Sequence, residues 1–186
     1  MSNKFTYQVL RDTQTDSVIK ITGFFDGASG QEFNGTRIPA NTLSGAIATN
    51  GYLVANNQGG AANTTLSYYD LQLTGLKYYV NFPMTTVGGV EIYWNGGGSS
   101  TAAQYANSST IFHLNMQGEF GLGEQLPSIL NNSINGNGDI GVNTTGATSN
   151  SAYTLILTLR KNNAMYQRGQ LSEPSAFNYG SYGVRP

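Results

Sequence analysis

The chain has 186 residues, no cysteine, nine Lys and Arg against ten Asp and Glu, and a single histidine. That composition excludes disulfides and thiolate metal sites. It also offers no clustered Lys and Arg of the kind that tracks a nucleic-acid backbone. The aromatic content of 11% and the 24 glycines instead point to short strands joined by many turns, in one domain large enough to enclose a core.

In chain order, Phe5, Tyr7 and Val9 alternate with Thr6 and Gln8, which predicts a strand with one buried face. A second strand is predicted over 17–24, with Ile19 and Ile21 opposite Val18 and Lys20. Asp26-Gly27 is a turn signal, and the run 37–49 is read as one strand or a short helix starting near Asn41. The best strand region begins at Leu66 and alternates in two blocks, Leu71 and Leu73, then Tyr78, Val80 and Phe82. Gly75 between them marks a bulge or bend in one long strand. Val90, Ile92 and Trp94 alternate next, and Asn95-Gly96 is expected to close that strand. Residues 96–109 are read as an exposed loop. A strand over 111–116 would carry Phe112, Leu114 and Met116 on one face, and residues 123–133 are read as a loop. Ile140 and Val142 make a short strand. Tyr153, Leu155, Leu157 and Leu159 make the cleanest one, apolar enough on both faces for a central position.

Seven to nine strands and no helix of ten residues predict an all-β fold, a single β-sandwich, jelly-roll or immunoglobulin-like. The sandwich spans 1–161. Residues 162–186 are read as an extended C-terminal arm, because Pro174, Pro186 and three glycines oppose regular pairing. The arm is nonetheless rich in residue types that anchor interfaces, and Tyr166, Arg168, Phe177, Tyr179 and Tyr182 are its candidate contact residues.

Catalytic and metal chemistry is poorly equipped, and neither catalytic residues nor a metal or other cofactor are expected. His113, between Phe112 and Leu114, lacks a motif that would make it a general base, and reads as a strand histidine bonded to a neighbour. Asp26 with Glu32, and Glu119 with Glu124, are the carboxylate pairs a glycosidase would need, but both read as solvated loop acids. Asn135, Asn137 and Asp139 begin a calcium-loop spacing without the acid that would complete it, so the Asn-Gly pairs read as turns. Trp94, Tyr93, Tyr78 and Tyr79 are a candidate sugar-stacking platform. In that reading Trp94 belongs to the core by its phase, and Tyr93 faces the other way, towards solvent. No stretch approaches the roughly 18 apolar residues of a membrane span, and no secretory signal is expected.

The segments "YQVLRDTQTDSVIKITGFFDG", "VEIYWNG", "STIFHLNMQGEF", "LPSILNNS" and "YQRGQLSEPSAFNYGSYGVRP" are similar, in this order, to a family of small virion structural proteins of tailed phages, especially marine and cyanobacterial ones. The resemblance implies a particle component, with capsid decoration (cement) as the specific role and the major capsid protein as partner. It also implies a place on the virion head surface after synthesis in the host cytoplasm. A homo-oligomer, for example a trimer repeating one arm contact, fits such a role, with neither nucleic acid nor membrane as partner. A neck or tail component and a glycan-binding adhesion module are the other roles to be distinguished.

Overall fold

The computed structural model describes residues 3–26, 31–32, 35–44, 46, 71–82, 88–98, 100–121, 129–130, 136 and 138–161. Among these residues ten strands run in the order β1 (Lys4–Asp12), β2 (Asp16–Phe24), β3 (Gly35–Ile38), β4 (Leu71–Asn81), β5 (Gly89–Trp94), β6 (Ser109–Leu114), β7 (Gln117–Phe120), β8 (Ile129–Leu130), β9 (Ile140–Thr145) and β10 (Ala152–Lys161). They exceed the expected number because 109–120 divides into two strands, and because 35–38 and 129–130 pair as short strands. One helix, α1 (Thr101–Ala106), and a single 3₁₀ turn at Ala40–Thr42 are the helical elements among the described residues.

The strands form two antiparallel sheets, one ordered β1-β2-β10-β4-β7 with β8 also on β4, the other β3-β9-β5-β6. β7 pairs with Leu76–Tyr79 of β4 and β8 with Gln72 and Leu73, so the two short strands lie end to end along one edge. With the flanking β1 and two-residue β8 set aside, eight strands remain. They pair first with last, second with seventh, third with sixth and fourth with fifth. That is the wiring of a long antiparallel hairpin rolled over on itself, the jelly roll. It decides between the two sandwich types the sequence left open.

One core fills the space between the sheets. Ile19, Ile21, Leu71, Leu73, Leu155, Leu157 and Leu159 meet Ile38, Val90, Ile92, Trp94, Ile140 and Val142, all buried. β10 lies between β2 and β4, the central position its two-faced pattern predicted. In β4 the pairing skips one residue, Thr158 facing Gly75 and Leu159 facing Leu73, which leaves Thr74 as the extra residue of a bulge. The bulge reverses the parity of the strand, so that Leu71 and Leu73 before it and Leu76 and Val80 after it all point inward.

Three tyrosines lie over glycines directly across the ladder: Tyr153 over Gly23, Tyr93 over Gly141 and Tyr78 over Gly118. A methyl group at any of these glycines would run into the facing ring. The glycines therefore act as seats for aromatic side chains.

Two local readings are corrected. Residues 101–106 are a helix rather than loop, capped by Ser100, whose hydroxyl accepts from Ala103 N at 3.2 Å. Asn95-Gly96 does follow the last residue of β5, where that strand was expected to close. Both residues are buried, and Gly96 sits where a side chain would strike the Asn107 carbonyl at the end of α1. Met116 is also not on the buried face of β6. It occupies the turn before β7 with φ 59° and is 62% exposed.

Candidate functional site

The outer face of the β3-β9-β5-β6 sheet carries the first polar cluster. Glu91 of β5 stands between Asn143 of β9 and His113 of β6, each directly opposite it. Its carboxylate accepts from Thr110 Oγ1 at 2.6 Å, Asn143 Nδ2 at 2.9 Å and Tyr105 Oη at 3.0 Å. Burial alone would raise its pKa, but these three donors and the facing imidazole together hold it below the usual glutamate value. A carboxylate kept ionised in this way fastens α1 to the sheet through Tyr105. It is not tuned towards neutral pH, where a general base works. His113 is largely exposed, with Nε2 3.9 Å from Glu91 Oε1. That is ion-pair range and beyond a hydrogen bond, so the strand histidine expected to bond a neighbour instead projects into solvent. Glu91, His113, Asn115 and Thr145 border a cavity of about 320 Å³ floored by Gly88 and Gly89.

Tyr93, the residue expected to face solvent, is fully buried. It does point to the outer face, but α1 covers it there, with the Tyr105 ring edge-on at 5.6 Å. Trp94 lies in the core, as its phase predicted. Of the sugar-stacking candidates Tyr79 alone is well exposed, on the other sheet, so the four rings form no shared platform.

The second cluster is buried. Glu32, read from sequence as a solvated acid, is 7% exposed. Arg37 donates to its Oε1 from Nε at 2.5 Å and forms an ion pair with it, while Tyr153 Oη donates to Oε2 at 2.7 Å. Burial raises the Glu32 pKa more than Tyr153 and Arg37 lower it. Burial and this neighbouring carboxylate push the Tyr153 phenol well up. The Arg37 guanidinium also stacks over Phe5 at 4.3 Å. Nothing in the composition of 31–38 signals this arrangement, because the third partner is 121 residues away.

The third cluster closes the sandwich at the end of β10. The Lys161 side chain has no exposed surface. Its Nζ donates to Asp12 Oδ1 at 2.5 Å, Thr13 O at 2.6 Å and Ser44 O at 2.7 Å, so each ammonium proton has an acceptor. Asp12 in turn accepts from Ser17 Oγ at 2.5 Å and Ser44 N at 2.6 Å. Burial pushes Asp12 upward, yet the Lys161, Ser17 and Ser44 contacts bring it below the usual aspartate value. The Lys161 backbone N–H donates to Thr15 O at 2.8 Å. Lys161, the last residue described, is thus a charge-paired point.

The arm candidates Tyr166, Arg168, Phe177, Tyr179 and Tyr182 lie outside the described residues, as do Glu124, Asn135 and Asn137. Asp139 accepts from Ala40 N at 2.7 Å and thereby ties the 3₁₀ turn to β9. Asp26 and Glu32 form no catalytic pair, since Glu32 is committed to Arg37 and Tyr153. Glu119 is exposed, 3.6 Å from Lys77 on the neighbouring strand. Among the described residues no three His, Asp or Glu side chains gather to hold a metal ion, and no helix is long and apolar enough to cross a membrane. No family model, curated protein or solved structure matches the chain.

Proposed function

We propose that the chain is a non-enzymatic structural protein of a tailed-phage particle. Its role is that of a capsid decoration protein, which binds the outer head shell and bridges subunits through residues 162–186. The observation that carries this reading is the Lys161 anchor. A buried, fully bonded ammonium fixes the point from which the aromatic-rich segment departs. An arm rooted rigidly in a sandwich loses less orientational freedom when it docks than one rooted in a loop. The jelly roll supports the reading by analogy, since it recurs in viral capsid domains, although it also recurs in lectins. The polar clusters support it too: Glu91 and Glu32 have their carboxylates taken up by neighbouring side chains that hold elements together.

The test is co-sedimentation with phage heads of the full chain and of a version ending at Lys161. The full chain is expected to saturate the heads and the shorter one to remain in the supernatant while still folded. Equal binding by both would remove the arm from the mechanism. The glycan-binding alternative loses its main residue with Tyr93 buried under α1. The neck or tail alternative is separated by copy number per particle, which is large for a shell and small for a portal-linked ring.

A further inference from the structure

Among the described residues, β1 pairs with β2 alone, so one edge of its nine-residue backbone carries no strand. Unpaired edges are usually short, bulged or charged, because they otherwise recruit another chain. β1 carries such features only near its ends. Lys4 stands at one end, and a bulge at Leu10 followed by Arg11 and Asp12 at the other. The middle, Thr6-Tyr7-Gln8-Val9-Leu10, has no charge, and its large apolar side chains stay open to solvent: Tyr7 is 40%, Val9 43% and Leu10 48% exposed. Tyr7 and Val9 lie on the side of the sheet that buries their partners Ile21 and Ile19 completely. The strand therefore overhangs the core with apolar side chains half covered.

We propose that this edge binds a second copy of the chain, β1 against β1 in antiparallel register about a two-fold axis at Gln8. The segment is self-complementary in that register. Tyr7 faces Val9 of the other copy twice, an aromatic to β-branched pairing on the half-covered side. The two Gln8 amides meet on the axis, where each supplies a donor and an acceptor. A two-fold contact uses the same edge on both copies and ends there. The proposal rests on reading the protein as an assembly component. Shell binding by a strictly monomeric protein would remove this two-fold contact and leave that reading standing.

The register makes position 8 the test. Gln8 is exposed on the outer face, so changing its charge does not disturb the core. Sedimentation equilibrium of the full chain is expected to show a species of twice 19.9 kDa. Gln8→Lys and Gln8→Glu, each alone, place like charges directly opposite each other and are expected to weaken self-association about five-fold. An equal mixture of the two variants is expected to restore it. As the chain has no cysteine, Gln8→Cys is expected to give a disulfide-linked dimer under mild oxidation, whereas Lys20→Cys on the neighbouring strand is not. A monomer at every concentration would overturn the proposal. So would a dimer indifferent to charge at position 8, the result expected if residues 162–186 covered β1 instead.

Discussion

Lys161 and Asp12 show how two side chains settle where the sandwich stops. An ammonium with no exposed surface is tolerated only because three acceptors surround it, and one of them is a carboxylate. Asp12→Ala is therefore expected to cost about 3 kcal/mol, because it strands a buried charge. Lys161→Met should cost less, since Asp12 keeps Ser17 and Ser44 as donors. Urea unfolding of the three proteins checks that order, and equal losses would mean that Asp12→Ala leaves no uncompensated charge behind. The pH dependence follows from the lowered Asp12 pKa. With the folded value below the unfolded value of about 3.9, the unfolded chain binds the proton first on acidification. The contribution is thus fully present above that unfolded value and is lost as pH falls through the folded one. Glu32 has the opposite sign, because its folded pKa is raised. Its contribution is largest below the unfolded glutamate value and is lost as pH rises through the folded one. Asp12→Asn should flatten the acid limb of a stability–pH curve, and Glu32→Gln should remove a decline that begins at the ordinary glutamate value and ends above it. Neither pair announces itself in the sequence, because Lys161 meets Asp12 across 149 positions and Glu32 meets Tyr153 across 121.

At the scale of elements, strand periodicity was legible and coverage was not. Alternation placed Ile19, Ile21, Trp94 and the β10 leucines inward, and Gly75 marked the bulge that reverses the parity of β4. The same alternation put Tyr93 on the outer face, which is correct, but outer did not mean exposed. Helix α1, hidden in a Gly- and Ser-rich run too short for a helical period, lies over it and is fastened by Tyr105 to Glu91. Tyr105→Phe deletes that hydroxyl and is expected to cost about 1 kcal/mol. In a protein of this size that lowers the melting temperature by roughly 3 °C. The Tyr93 ring also depends on the bare backbone opposite it. Gly141→Ala drives a methyl group into the ring, which α1 holds in place, and a loss of about 1–3 kcal/mol is expected. An unchanged melting temperature for Gly141→Ala would show that Tyr93 has room to shift.

For the whole molecule, an all-β sandwich followed from short alternating runs and turn residues, but its wiring did not. First-with-last and second-with-seventh pairing joins strands more than 100 residues apart, and periodicity carries no information about such partners. The wiring sets the external geometry of the protein. β10 ends beside the β1–β2 turn, so Lys161 lies at the Asp12 end of β1. Two contact elements so placed fit the surface-binding role proposed above. Trp94, the sole tryptophan and fully buried, reports whether the sandwich survives changes to either of them. The most direct test of the decoration role is the number of copies bound per phage head, measured by quantitative mass spectrometry after co-sedimentation with the full chain and with the version ending at Lys161. The account predicts on the order of hundreds of copies for the full chain and near none for the shorter one, with Trp94 emission unchanged. Roughly six or twelve copies, or binding that ignores the loss of residues 162–186, would contradict it.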